Sequence, residues 1–374
     1  MRLALVHEYL NQLGGAERVL ESLHTLYPDA PVYTLVYDRA KVGETFKDWN
    51  LRTSIIERLP GGKKHYKWYL LAMPAAIESF DFTGYDVVLS DASAFAKGVI
   101  VPPGTLHICY CHTPTRYLWS DAHTYSNEIR VPRLVRRFLP LVLNYLRVWD
   151  RQAADRVDAF IANSKFVAQR VQKYYRRSAT VIYPPVNTQQ FGLGDAVGNY
   201  YVMVGRLRPY KKFALAIRAF NELNIPLKII GTGEEEEALR RLAKPNIEFL
   251  GYRVDRKRLL QGALGFINPQ VEDFGIAPVE AMACGRPVIA YRAGGAMETV
   301  VDGVTGTFFD EQSWESLADT VVRFKPNAYD PAKIRAHAET FDTKVFHERM
   351  RAFVESARVQ FRETGRVDNA TRSE

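Results

Sequence analysis

Cysteine is scarce in this chain. Only Cys109, Cys111 and Cys284 occur in 374 residues, too few to staple a protein of this size, so a disulfide framework is excluded and a reducing compartment is expected. Long apolar runs are lacking as well. The best, Phe138 to Trp149, is broken by Pro140, Asn144 and Arg147, short of the roughly 18–20 uninterrupted apolar residues that a spanning helix needs. The apolar run in MRLALVHEYL stops at His7 and Glu8, too early for a signal-peptide core, and no secretion is expected. Three signatures are missing too. No Gly-x-Gly-x-x-Gly follows a strand-like run and no Gly-x-x-x-x-Gly-Lys-Ser/Thr occurs, which argues against a nicotinamide dehydrogenase and a P-loop ATPase. No Asp-x-Asp pair is available to hold a divalent ion on a nucleotide sugar. What remains is an ordinary folded composition, 47% hydrophobic and 25% charged, which excludes disordered and low-complexity classes. The net charge of +8 is too mild to call for nucleic acid, and no nucleic-acid motif accompanies it.

At about 150 residues per domain the length predicts two domains. Short apolar runs rich in β-branched residues alternate with helical patterns, the signature of parallel α/β sheets. The first series is Leu3–Val6, Val32–Val36, Val87–Ser90, Leu106–Cys111, Ala159–Ala162 and Ala179–Ile182. A second restarts at Tyr200–Val204 and continues through Leu227–Ile230, Ile247–Leu250, Gly265–Asn268, Pro287–Ala290 and Gly306–Phe309. Between them YPPVNTQQFGLGDAVGNY gathers Pro and Gly without periodicity, which predicts a linker at 184–198. The expected organisation is therefore two doubly wound, Rossmann-like halves facing across a cleft, 1–183 and 199–335. A helix at about 340–361, strongest from Val345 to Phe361, is expected to pack back on the first half, and 365–374 reads as a frayed tail.

Two clusters carry chemistry in the second half. In VEDFGIAPVEAMACGRPVIA, Glu272 and Glu280 flank Phe274-Gly275, and Pro278 marks a helix start, since Pro is favoured at a first helical position. Glu280 is then expected in the first helical turn. A helix N-terminus offers free N–H groups and partial positive charge, so Phe274, Gly275, Ile276 and Ala277 suit a phosphate while the two carboxylates suit sugar hydroxyls. The same residues also suit a plain surface loop with an acidic first turn. GRLRPYKKF places Arg206 and Lys211 just beyond a strand, where open α/β sheets bind ligands and where an Arg fork plus a Lys point charge suit a diphosphate. As solvated surface charges they would need no explanation. IIGTG (Gly231, Gly233) is a further strand–glycine turn that a nucleotide base could approach closely.

In the first half, Gly14-Gly15 stand directly before a helix from Ala16, and His112 emerges at a strand end in HICYCHTPTRYLW. A lone His is more often a packing or capping residue than a catalytic one. His107, Cys109 and Cys111 share a strand face, and a buried core is the better reading than zinc because no second Cys/His pair supplies further ligands. Arg133, Arg136, Arg137, Arg147 and Arg151 fall in one arc of a helical wheel, with Leu134, Phe138, Leu141, Val142, Tyr145 and Trp149 on the other side. That stretch, like RLPGGKKHYKWYLL (Arg58, Lys63, Lys64, Lys67, Trp68, Tyr69), suits either an anionic membrane surface or a core-facing helix with a solvated side.

Taken together, GGAERV at 14–19, CHTPTRYLW at 111–119, ANSKFVAQRV at 162–171, YPPVN at 183–187, VGRLRPYKK at 204–212, IIGTG at 229–233, the Glu272 to Glu280 spacing and GGAMETVVDGVTG at 294–306 resemble the family 4 retaining glycosyltransferases of the GT-B fold. CHTPTRYLW with GRLRPYKK is most similar to the bacterial polysaccharide and O-antigen mannosyltransferase subgroup. The resemblance implies that Arg206 and Lys211 bind the donor diphosphate, Glu280 the ribose and Glu272 the hexose hydroxyls. It further implies that the amides of Phe274 to Ala277 touch phosphate and sugar, that Gly14 and Gly15 lie near the phosphate, and that His112 lies beside the transferred sugar. Gly231, Gly233, Lys212 and Arg253 complete the expected donor site. Lys212 departs from the family, which usually has Gly there, so either Lys211 or Lys212 is the diphosphate lysine. The implied activity is a metal-independent, retaining transfer of a hexose, with GDP-mannose as the expected donor. The acceptor is a glycan, in one form polyprenyl-diphosphate-linked, at the cytoplasmic face of a membrane, with no cofactor and no nucleic acid. Domain closure onto the donor would exclude water. The rival readings are a GT-B nucleotide-sugar epimerase, a UDP-sugar-dependent transferase and a non-catalytic nucleotide-sugar-binding subunit.

Overall fold

The fold was analysed in a computed structural model, which describes residues 1–122, 133–194, 197–253 and 255–367. The chain forms two compact units, Met1–Tyr183 with His347–Glu374, and Pro184–Phe346. In the first unit β1 (Leu3–Leu10), β2 (Val32–Tyr37), β3 (Leu51–Thr53), β4 (Val87–Ala92), β5 (Leu106–Cys111), β6 (Ala159–Ala162) and β7 (Thr180–Val181) make one sheet. Its order is β3-β2-β1-β4-β5-β6-β7, and every pairing is parallel. In the second, β8 (Tyr201–Val204), β9 (Leu227–Ile230), β10 (Ile247–Gly251), β11 (Gly265–Asn268), β12 (Val288–Tyr291) and β13 (Gly306–Phe309) run β10-β9-β8-β11-β12-β13, again all parallel.

Parallel strands with helices on both faces are buried on both sides, which is why they read as unbroken apolar runs. Val6, Val88, Cys109 and Phe160 lie in the first core, and Met203, Ile229, Ile267 and Ile289 in the second. His107, Cys109 and Cys111 are all buried, the cysteines are free, and His107 Nε2 meets Ser90 Oγ at 2.9 Å. Burial, with Arg156 and Arg177 nearby, pushes the His107 imidazole down to about 3.

The segment expected as a linker contributes structure to the second unit. Val186 bridges Asp342, Thr188 Oγ1 donates to Asp342 Oδ2 at 2.5 Å, and Phe191 is buried. The last long helix spans Thr343–Thr364, and from His347 onward it belongs to the first unit, where Met350, Val354 and Ala357 are buried.

The helix Arg133–Asp155 corrects the helical-wheel reading. Its buried side is Leu139, Leu143, Leu146, Trp149 and Ala153, whereas Phe138, Leu141, Tyr145 and Val148 are each more than half exposed. The arginine arc therefore does not face an apolar side that is simply core. Arg147 Nε donates to Leu118 O and Arg151 pairs with Asp155. The side chains of Arg133, Leu134 and Arg136 lie outside the described residues.

Candidate functional site

In an open parallel sheet the loops leaving two neighbouring strands diverge where the strand order reverses, and the crevice so formed is where ligands bind. In the second unit that point lies between β8 and β11. The loop after β8 carries Arg206 and Lys211, and the loop after β11 carries Glu272, Phe274 and Gly275. Sequence-distant charges are thus brought together by topology.

Lys211 Nζ donates to Glu272 Oε1, and Gln270 Nε2 donates to the same oxygen at 2.8 Å. Lys211 and Glu272 are half-buried, whereas Arg206 is exposed. Lys212 is exposed and sits in the left-handed region at φ 56°, capping the helix Phe213–Leu223. That conformation explains why the family usually has Gly there: a residue without Cβ reaches φ > 0 without strain. The geometry pairs Lys211 with the acidic loop, while Lys212 serves the turn.

Gly275 has φ 100° and caps the helix Ile276–Ala283. The helix therefore begins two residues before Pro278, and Glu280 lies in its second turn, not its first; it is the positive φ open to Gly275 that lets the chain turn early. Glu280 is 3% exposed and accepts from Arg256 Nη2 at 2.7 Å. Arg256, on the helix Arg256–Gln261 after β10, was not singled out by sequence, whereas Arg253, which was, is exposed. Phe274 is buried against Phe341. Ile276 and Ala277 stay partly exposed at the helix start.

Glycines brace these loops. A Cβ on Gly231 would lie 1.9 Å from Gly205 O, and one on Gly233 would lie 2.3 Å from Leu207 O. Both therefore serve the approach of the loop after β9 to the loop after β8. Gly295 backs the acidic loop in the same way, its Cβ position being 2.5 Å from Phe274 Cα.

In the first unit the strand order reverses between β1 and β4. Here sequence reasoning found His112 and Gly14-Gly15 but not their neighbours. Asp91, fully buried at the end of β4, accepts from His112 Nε2 at 2.5 Å with one oxygen and from His7 Nδ1 at 2.8 Å with the other. His7 Nε2 lies 3.9 Å from Glu17 Oε1, in the first turn of the helix Gly15–Leu26, which Gly14 caps. Glu8 makes no hydrogen bond to either imidazole; its carboxylate accepts from the N–H groups of Ser93, Ala94 and Ala96, and its charge favours the protonated form of His112. Burial alone would drive both imidazoles neutral, but the carboxylates outweigh it: His7 is raised to about 10 and His112 is raised as well. Burial alone would likewise raise Asp91 and Glu17, yet their histidine partners hold both below the usual carboxylate range. The signal for these residues was present in the sequence, since His7-Glu8 and Asp91 are ionisable groups in the C-terminal halves of strands whose other residues, Ser90 apart, are aliphatic or aromatic.

Comparison with known proteins follows this geometry. The family model described as Glycosyltransferase Family 4 matches residues 13–190, and that described as Glycosyl transferases group 1 matches residues 187–341. An uncharacterized glycosyltransferase of Methanocaldococcus jannaschii is 25% identical over 337 residues, covering 87% of this chain and 89% of that protein. An alpha-1,3/1,6-mannosyltransferase ALG2 of Dictyostelium discoideum is 25% identical, covering 62% of this chain and 66% of the other. A D-inositol 3-phosphate glycosyltransferase of Mycobacterium marinum is 29% identical, covering 52% of this chain and 49% of the other, so this chain spans about half the mycobacterial relative. Among solved structures, Anabaena Alr3699/HepE in complex with UDP aligns with a TM-score of 0.71 at 20% identity, over 95% of this chain and 100% of that one. A sucrose-phosphate synthase from Thermosynechococcus elongatus aligns with a TM-score of 0.71 at 15% identity, over 95% of this chain and 99% of that one. The two parallel-sheet units have the GT-B fold, and with the two family models running end to end over residues 13–341, the chain belongs to the group 1, family 4 glycosyltransferases.

Proposed function

We propose that this glycosyltransferase is a retaining hexosyltransferase that moves mannose from GDP-mannose to a lipid-carried glycan, without a metal ion, at the cytoplasmic face of an anionic membrane. The observation that carries the reading is the assembly of Lys211, Gln270 and Glu272 beside the Gly275 turn, on the loops that diverge between β8 and β11. Breaking the bond from the sugar's anomeric carbon to the diphosphate places negative charge on the leaving phosphate. Arg206, Lys211 and the N–H groups at the start of the helix Ile276–Ala283 offset that charge as it grows. Glu272 accepts from hexose hydroxyls and Glu280, steadied by Arg256, from ribose hydroxyls. The acceptor oxygen attacks the face the leaving group departs from, and its proton passes to the leaving phosphate oxygen, so no carboxylate nucleophile is invoked.

The mannose assignment is supported by the name of the Dictyostelium relative; the UDP and UDP-glucose complexes of the Anabaena structures favour a UDP-sugar as the second reading. The membrane assignment is supported by the exposed stripe Phe138, Leu141, Tyr145 and Val148 on an arginine-rich helix. Among the described residues no helix is long and apolar enough to cross a membrane.

Thermal-shift titration with GDP-mannose, GDP-fucose, UDP-glucose and UDP-N-acetylglucosamine ranks the donors, with GDP-mannose expected to stabilise most. Lys211→Ala and Glu272→Ala are expected to abolish transfer with the fold intact, and near-normal turnover in either removes that residue from its role. Transfer is expected to survive a chelator; strict dependence on added Mg²⁺ contradicts the cationic account. Product formed without any acceptor would instead indicate the epimerase, and saturable binding without turnover the non-catalytic subunit.

A further inference from the structure

The polar cluster at the strand reversal of the first unit is larger than a single ligand-facing histidine requires. Its members come from every element around it: His7 and Glu8 from β1, Glu17 from the helix Gly15–Leu26, Asp91 from β4, and His112 from the end of β5, whose Tyr110 ring lies 5.3 Å away. Arg170, from the helix Lys165–Tyr175, bonds Thr113 Oγ1, one residue on. Asp91 is fully buried and spends one oxygen on each imidazole. Of its two imidazole partners His112 is the more exposed, 13% of its side chain against 3% for His7. With Nε2 tied to Asp91, its remaining ring nitrogen is Nδ1.

We propose that Asp91 is a positioning residue that holds His112 as a doubly protonated imidazolium, so that Nδ1–H is a fixed donor to an oxygen of the bound sugar or phosphate, not a base. His7, on the other oxygen, locks the carboxylate against rotation and is itself braced by Glu17. Each imidazolium is thus matched by carboxylates, Asp91 between the two and Glu17 beyond His7, with Glu8 also favouring the charged form of His112, and paired in this way buried charges persist. No proton is transferred. A cation with a directed N–H supplies charge-assisted hydrogen bonding, and its supply does not lapse as pH rises through the ordinary histidine range. The inference rests on the glycosyltransferase reading only for the identity of the oxygen that accepts.

Ring-¹⁵N histidine NMR of the full chain tests the charge state without any substrate, with His112→Gln used to assign the signal. At about pH 7.5, above the ordinary histidine value, both His112 nitrogens are expected to be protonated. A neutral single tautomer there overturns the proposal. In Asp91→Asn the His112 midpoint is expected to fall by about one pH unit or more. Its kcat/KM is expected to drop about tenfold per pH unit above that midpoint, recovering on the acid side, while the wild type stays level. A uniform loss at every pH marks Asp91 as merely structural and refutes the positioning role. Should Asp91→Asn not fold, His7→Gln replaces it: removing that neighbouring cation is expected to raise the His112 midpoint, and an unchanged midpoint counts against a shared carboxylate. Failure of donor binding in Lys211→Ala leaves the NMR result untouched, so the two readings fail separately.

Discussion

Asp150→Ala is the sharpest test of what holds the CHTPTRYLW segment in place. Asp150 is 1% exposed and accepts four hydrogen bonds: from Lys97 Nζ at 2.5 Å, Thr115 Oγ1 at 2.7 Å, Trp119 Nε1 at 2.8 Å and Tyr175 OH at 2.8 Å. Lys97 is 2% exposed and its other acceptors are the Ala94 carbonyl and Thr115 Oγ1. Deleting the carboxylate leaves a buried ammonium without its counter-ion and is expected to cost roughly 3–5 kcal/mol. Lys97→Met is expected to cost less, roughly 1–3 kcal/mol, because the carboxylate keeps its three other donors. Urea unfolding, followed by far-UV circular dichroism and Trp fluorescence, reads both. The transition of the first unit should move down by about 1–2 M for Asp150→Ala at an ordinary urea sensitivity. The apolar double replacement Lys97→Met/Asp150→Leu should recover only the part of the loss due to the stranded ammonium, because Thr115, Trp119 and Tyr175 still lose their acceptor. A cost below about 1 kcal/mol for Asp150→Ala, or an equal cost for Lys97→Met, would refute the argument that the carboxylate organises this segment.

Stability should peak near pH 6.5. His7 and His112 have raised values in the folded state, so what they contribute is full below about 6.5 and is lost as pH climbs toward about 10 for His7. His107, depressed to about 3, acts oppositely: its contribution is present above about 6.5 and is lost as pH falls toward 3. Asp91 and Glu17, both lowered, add to the acid limb below about pH 4. A Tm profile that keeps rising from pH 7 to 9 contradicts this, and His7→Gln should flatten the alkaline limb. Lys212→Gly should leave donor affinity unchanged and stabilise by about 0.5–1 kcal/mol, since it relieves a left-handed lysine; a tenfold loss of donor affinity would return Lys212 to the site. Gly231→Ala should misfold the second unit, because its Cβ would meet Gly205 O at 1.9 Å, and a wild-type melting profile would show that these loops yield. Leu141→Glu/Tyr145→Glu should reduce sedimentation with anionic vesicles, and undiminished binding would deny that stripe a membrane role.

Most strands were legible because each is an apolar run buried on both faces. β3 escaped because Leu51–Thr53 is a three-residue edge strand with exposed Arg52 at its middle, and so carries no apolar signal. The loops that carry Glu272 and the Lys211-Lys212 pair could be read from local spacing, whereas the left-handed turns at Lys212 and Gly275, which separate the two lysines and start the helix early, could not. Arg256 could not, since its partner Glu280 lies 24 residues on and only the packing of two helices joins them. The wheel failed on the helix Arg133–Asp155 for a different reason: apolar residues occupy both its buried and its exposed sides, so periodicity alone does not identify the core.

The first unit is discontinuous, and this affects how the protein is made. Met350 and Val354 are among the innermost side chains of the last helix, and Ser22 Oγ meets His347 Nε2 across 325 positions of sequence. Residues 1–183 thus emerge as a sheet whose covering helix is still unsynthesised, and the whole of the intervening domain, with every one of its strands, is made before that helix follows. The N-terminal half is completed only once the helix Thr343–Thr364 is made, so truncation within that helix uncovers the core of a sheet laid down long before it.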